Sequence, residues 1–391
     1  VGVFAGVMAF EFAAMLLSSL PIGGSAYAAT GSEASIASGR LSYVLGLHGP
    51  CVSYDTACSA ALVASHAALR ALQLAECTTG VASGVNLMLM PHGASSLAAA
   101  GMTSERGRCH TFDTLADGYA RSEACAAATL MGPQAVRRDA HLGSAAVRQD
   151  GRSASLTAPN GKAQQALVIA ALSELSLPRA SPALNEAHGT GTALGDPIEV
   201  GSRVSAAQAT RSHLPCVAPL LLGGAKANLG HAEHAAGAIG MLVLVGCSRC
   251  LAAAPNAQLR ALNVHVEAAH GDWSSVAMPF NPSPLQARPE TVDAGVSSFG
   301  YSGTIVHAIL TTSVRADFIE GCNDMSSCAI SSVSARRPLA FRRHRFPWRP
   351  DEAPLAPSAA SRGTTVAGVL YRMDWLCVRS FAAAAQEHRV L

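Results

Sequence analysis

The 391 residues carry 28 Lys and Arg against 26 Asp and Glu, a formal charge of +2, so no net field favours nucleic acid or an anionic membrane. With 49% hydrophobic, 14% charged and 5% aromatic residues, the composition excludes a disordered chain, and 35 Gly with long Ala runs point to closely packed α/β layers. Eleven Cys with no pairing pattern fit a reducing, intracellular compartment better than a disulfide framework.

In chain order, Val1 to Gly6 reads as a strand with no initiator Met or linker ahead of it, so the sequence reads as a fragment lacking the start of its first domain. The apolar stretch Val1 to Gly24 contains Glu11 and has no basic n-region, which argues against a membrane span or signal peptide. Cys51 to Asp55 reads as extended, Thr56 to Ser59 as a sharp turn, and Ala60 to Leu74 as a helix. That turn sets Cys58 at a helix N-terminus, where free N–H groups and the dipole are expected to stabilise a thiolate.

A second stretch has the same grammar. Ala163 to Leu175 predicts a helix, Ala183 to Ala187 a short strand, His188 to Thr192 a glycine-rich loop, and a further helix starts at about Pro197. Leu220 to Gly224 reads as a buried strand, Lys226 to His231 as a loop, and Ala235 to Val245 as a small-residue helix that must approach its neighbour closely. Asp293 to Ser298 and Thr304 to Thr311 read as strands joined by Phe299 to Gly303. Residues 322 to 364 mix Ser, Pro and Arg without periodicity and read as a linker; the basic run Arg336 to Arg349 lacks a nucleic-acid-binding context.

A Cys opening a helix, with His188 and His231 each in a glycine-containing loop after a strand, suggests thiol-based acyl transfer. His66 on the helix after Cys58 reads as a packing residue, and His48, His92, His110, His141 and His265 lie in contexts without functional character.

Three segments carry a specific resemblance: Asp55-Thr56-Ala57-Cys58-Ser59; Glu186 to Thr192 with Gly195-Asp196-Pro197-Ile198-Glu199; and Lys226-Ala227-Asn228-Leu229-Gly230-His231 with Ala235-Ala236-Gly237. In this order they resemble the signature segments of polyketide β-ketoacyl synthases, over essentially residues 1 to 312. The resemblance implies a thiolase-like α/β fold, with two similar halves in a five-layered αβαβα core and normally a homodimer. It implies decarboxylative Claisen condensation: Cys58 as nucleophile, His188 and His231 as the pair assisting decarboxylation of a malonyl-type extender, and Lys226 as the lysine ordering the network around His231.

By the same match the backbone N–H groups of Cys58 and Tyr301 form the oxyanion hole, and Thr190 and Thr192 hold the phosphopantetheine arm. No cofactor is bound directly, since substrates ride on the 4'-phosphopantetheine of an acyl carrier protein, and no metal is needed because decarboxylation supplies the nucleophile. Expected partners are the carrier protein, a second copy and neighbouring polyketide synthase domains, with no nucleic acid and no membrane. The expected compartment is the cytoplasm, or an organelle such as a plastid. The expected organisation is a ketosynthase domain over 1–312, a linker over 313–363 along which Phe346 and Trp348 pack back on the domain, and over 364–391 a stretch resembling the start of a ketoreductase structural half.

Departures from the family pattern are Ile305-Val306 where an Asn-Ala pair is usual, Ser122 and Ala124 in place of glycines, and Ala60 in place of serine. Ile305 is expected to repack the pocket floor, and none of the departures is expected to touch the catalytic set. A non-elongating domain that only binds and transfers acyl chains usually lacks the histidine that stands here as His188. A fatty acid synthase ketosynthase shares the chemistry, and a thiolase lacks the two-histidine arrangement.

Overall fold

The computed structural model describes residues 1–8, 10–19, 28–132, 140–175, 182–211, 219–271, 276–285 and 291–313, with the backbone of 340–345 and 371–376. Two units separate by their contacts, Val1–Phe318 and Ile319–Leu391.

The first unit opens with β1 (Gly2–Val7), α1 (Phe10–Ser19), α2 (Ala28–Ser32), α3 (Ala34–Leu45), β2 (Cys51–Tyr54), α4 (Ala60–Gln73), β3 (Thr79–Asn86), α5 (Pro91–Ala99) and β4 (Ala124–Met131). Its four strands lie in the order β2-β1-β3-β4, the first three parallel and β4 antiparallel to β3. Alternate residues of β3 are buried, so one face of that strand is committed to the interior.

There follow β5 (His141–Gln149), α6 (Gly161–Glu174), β6 (Leu184–Glu186), α7 (Gly195–Arg211), β7 (Leu220–Gly223), the single turn α8 (Lys226–Leu229), α9 (Ala236–Cys250), β8 (Ala252–Ala253), α10 (Val264–His270), β9 (Val276–Ala277), β10 (Ser283–Pro284), β11 (Thr291–Phe299) and β12 (Thr304–Ser313). Six of these strands form a second sheet, β5-β12-β11-β6-β7-β9, parallel from β11 to β9 and antiparallel on either side of β12.

The layers follow from what each helix touches. α3 covers β1 and β2, α4 and α9 lie between the sheets, and α6 rests on β5 and β12. Val200 and Val204 of α7 pack with Leu220 and Leu222 of β7 on that same outer side. The result is helix, sheet, helix, sheet, helix, with the main apolar cluster around Leu62, Leu244, Val296 and Val306 between the sheets. The small residues of α9 have the expected reason: a Cβ on Gly237 would stand 2.5 Å from the Leu62 side chain of α4.

One expectation is corrected here. The stretch from Lys226 is not a loop throughout, because Leu229 N–H bonds Ala225 O and Gly230 N–H bonds Lys226 O, closing one helical turn before Gly230 turns away at φ +78°. In the second unit, a strand β13 (Ala340–Arg345) falls inside the expected linker and pairs antiparallel with β14 (Tyr371–Leu376). Its partner strand lies well further along the chain, so no local periodicity marks it. Phe346 and Trp348 lie outside the described residues.

Among the described residues no helix is long and apolar enough to cross a membrane; the opening stretch forms β1 and α1 instead, with Glu11 buried in an ion pair to Arg121.

Candidate active site

Cys58 sits on an elbow between β2 and α4. Ala57 takes a left-handed φ of +52°, and its N–H donates to Asp55 Oδ1 at 3.2 Å. Ser59 Oγ donates back to Thr56 O at 2.8 Å, while Ser298 Oγ from β11 donates to Cys58 O at 2.6 Å. The turn after β11 closes over this elbow: a Cβ on Gly300 would meet Thr56 O at 2.4 Å, so only glycine permits the approach. It brings the Tyr301 N–H to Cys58 Sγ, which also feels the N–H of Cys58 itself. The Tyr301 side chain points outward, 51% exposed.

The expected thiolate is not what this environment favours. Burial pushes the Cys58 thiol up to about 12, with the Glu233 carboxylate adding to it, against the weaker pull of Lys226 and the two N–H groups. α4 begins at Ala60, two residues beyond Cys58.

His231 Nε2 stands 3.1 Å from Cys58 Sγ, and His188 lies edge-on to His231 with ring centroids 5.6 Å apart. Burial, then the charge of Lys226, holds both imidazoles well below the usual histidine value, so both are neutral near pH 7. The Phe299 N–H donates to His188 Nδ1 at 3.2 Å, which puts the proton of the neutral ring on Nε2. Tyr119 packs its ring edge against His231 at 4.9 Å.

Two carboxylates shape the loop bearing His188. Glu199 on α7 accepts the N–H groups of His188 and Gly189, each at 2.8 Å. Asp196 accepts from Phe112 N–H at 2.8 Å and Gly191 N–H at 3.1 Å. Burial raises the Asp196 carboxyl to about 7, and likewise that of Glu186, whose Oε1 accepts the Ala225 N–H. Thr190 is buried and Thr192 half-buried, their hydroxyls 3.3 Å apart on the same loop.

Lys226 is buried at the start of α8, in no ion pair among the described residues. With Glu186, Ala187, Ser122, Ala124 and Ser297 it lines a cavity of about 180 Å³. Thus all seven residues singled out from the sequence fall on the Cys58 elbow, the His188 loop, the segment from α8 to His231 and the turn after β11. His66 bonds Ala145 O at 2.7 Å from the flank of α4 and takes no part in the site.

One departure lies beside this set through its backbone, by a bond that a glycine would make as well. Ser122 N–H donates to His231 O at 2.9 Å, because β4 is entered alongside the His231 loop. Ile305 is fully buried with Phe299 and Leu167, one step from the amide that holds His188. Sequence reasoning gave no role to Asp196 and Glu199 although both stand in the motif, and it missed Arg121, which forks onto Glu233 at 2.7 and 3.0 Å, and His234, which bonds Asp55.

A cysteine elbow facing two neutral imidazoles between two sheets is an arrangement suited to acyl transfer. Residues 1–134 match the N-terminal domain of β-ketoacyl synthases and residues 140–260 the C-terminal domain. The chain belongs to the β-ketoacyl synthase family. It is 40% identical over 321 residues to a phenolphthiocerol/phthiocerol polyketide synthase of Mycobacterium tuberculosis, covering 79% of this chain and 14% of that protein. Erythronolide synthase EryA2 of Saccharopolyspora erythraea is 39% identical over 293 residues, 73% of this chain and 8% of its own length. The chain therefore spans only a small part of these relatives.

Among solved structures, the ketosynthase from module 6 of the bacillaene synthase of Bacillus subtilis 168 superposes with a TM-score of 0.71 at 30% identity, over 80% of this chain and 54% of that one. The oxazolomycin ketosynthase domain of Streptomyces albus JA3453 gives 0.71 at 31%, over 80% and 55%. The fold is that of ketosynthases, thiolase-like, as the sequence motifs implied.

Proposed function

We propose that this chain catalyses decarboxylative Claisen condensation in polyketide synthesis, with Cys58 carrying the acyl chain. The observation that carries this reading is His231 Nε2 at 3.1 Å from Cys58 Sγ, with the Cys58 and Tyr301 N–H groups facing the same sulfur.

In the first step the thiol proton passes to His231 Nε2, Sγ attacks the acyl thioester on a carrier's phosphopantetheine arm, and the developing oxyanion meets the two N–H groups. The pantetheine sulfur leaves and takes the proton back. With the thiol raised by burial, the proton has to be taken as Sγ attacks, and His231 is the group in reach of it.

In the second step a malonyl-type thioester enters on the carrier. As its C–C bond to the carboxylate breaks and CO₂ leaves, the electron pair delocalises onto the thioester oxygen, held by His188 Nε2–H and by His231 in its Nε2–H tautomer. Two neutral imidazoles suit this task, because they donate to an enolate oxygen without carrying competing charge into the pocket. The enolate carbon attacks the acyl carbonyl, the C–S bond to Cys58 breaks, and one proton from solvent restores the thiol.

Under this reading Thr190 and Thr192 hold the arm, and Lys226 orders the surroundings of His231. The domain occupies 1–312, with a connecting segment over 313–363 and the opening of a ketoreductase structural half over 364–391. An acyl carrier protein, a second copy and neighbouring synthase domains are its partners, in the cytoplasm.

The test is mass-detected acylation by an acyl-pantetheine thioester followed by condensation with malonyl carrier protein. Wild type should acylate and extend, Cys58→Ala should take no acyl group, and His188→Ala should acylate without extending. Wild type that acylates but never extends would make the domain a transfer module.

A further inference from the structure

His234 is buried, three residues beyond His231, and the condensation chemistry does not use it. Its Nε2 lies 3.1 Å from Asp55 Oδ1, the same oxygen that accepts the Ala57 N–H at 3.2 Å. We propose that His234 is a positioning residue: through Asp55 it fixes the Ala57 backbone, and so the direction of the Cys58 N–H that meets the acyl oxygen. The inference rests on the condensation reading.

Three observations carry it. Ala57 holds a left-handed conformation that an L residue keeps only when its surroundings impose it. The Asp55 side chain is 54% exposed, so water competes for its oxygens, and the bond to the buried imidazole is what sets its direction. The base from which His234 reaches is firm: the short turn Glu233–Ala235 packs on β1, β3, β4, α4 and α9, and Glu233 is forked by Arg121.

A single hydrogen bond to a carboxylate half open to water adds little net stability, so the effect of this one lies in geometry. One segment therefore presents His231 to the sulfur, Glu233 to its anchor and His234 to the elbow. Since Asp55 Oδ1 accepts both bonds, losing the first frees the carboxylate to leave the second.

The experiment compares two reactions of Cys58 in the full chain by intact mass: acylation by an acyl-pantetheine thioester, which needs the oxyanion donor, and alkylation by iodoacetamide, which does not. His234→Ala should slow acylation about tenfold, part of what loss of a whole oxyanion donor costs. His234→Gln, which offers an amide N–H in place of Nε2–H, should recover to within about twofold of wild type. Alkylation should stay within about twofold in both.

Asp55→Ala breaks the same chain from the other end and should match His234→Ala; it decides the matter if His234→Ala shows no cooperative melting. Wild-type acylation in either alanine variant, no recovery with glutamine, or alkylation falling in step with acylation would each overturn the inference. A wild-type chain that alkylates but takes no acyl group overturns the condensation reading and this inference together. Variants indistinguishable from an acylating wild type overturn only this one.

Discussion

Cys58 is the residue whose chemistry is most at odds with its neighbourhood. Lys226 and two N–H groups favour the thiolate, yet burial and Glu233 outweigh them and push the thiol up to about 12. Iodoacetamide alkylation of Cys58 should therefore climb about tenfold per pH unit from pH 7 to 10 without levelling, where an ordinary thiol levels near its pKa of about 8.5. A rate already flat at pH 7 would mean a preformed thiolate–imidazolium pair with His231. The sequence made Cys58, His188 and His231 legible because each stands in a short contiguous motif. Arg121, Glu11, Glu233 and His234 were not legible, since their partners lie 110 to 179 positions away and no local pattern links them.

Elements were legible where their residues repeat on one face. α4 and α9 follow from apolar and small residues at helical spacing, and β11 and β12 from apolar runs flanking a Gly-rich turn. α8 shows no period in the sequence because four residues are too few for one, and its turn is imposed by the end of β7 and the bond from Ala225 N–H to Glu186. The depth at which α9 sits depends on Gly237, whose added Cβ would meet three Leu62 atoms at 2.5 to 3.2 Å, one of them the backbone nitrogen. Backbone cannot swing aside as a side chain does, so Gly237→Ala must move α9 relative to α4. It should cost about 1–3 kcal/mol in urea unfolding, despite the better helix propensity of alanine. A neutral or stabilising result would show that the two helices are less closely committed than their separation implies.

Across the whole molecule, two sets of carboxyls pull stability in opposite directions with pH. Burial alone would raise Glu11 and Asp113, but Arg121 with the Leu89 and Met90 amides holds Glu11 low, and the Ala261, Arg260 and Leu115 amides hold Asp113 low. Their contribution is present above the unfolded carboxyl range, about 4, and is lost as pH falls through their folded values. Asp113 ties the first half to the loop at Arg260 and Ala261 in the second by accepting both of their N–H groups.

Glu186 is the opposite case, raised to about 7 chiefly by burial. Its contribution is present below the unfolded value and is lost as pH rises through about 7, when a proton must leave a buried group. Stability should therefore peak on the acid side of neutrality and fall on both flanks. Glu186→Gln keeps the oxygen that accepts the Ala225 N–H but carries no proton to lose, so it removes the Glu186 share of an alkaline flank to which Asp196 also contributes. In urea unfolding it should match wild type near pH 4.5 and be more stable by about 1–3 kcal/mol at pH 8. Equal stability at pH 8 would mean that the Lys226 charge beside the same cavity compensates the ionised Glu186 fully, and that the pair acts as a single buried dipole.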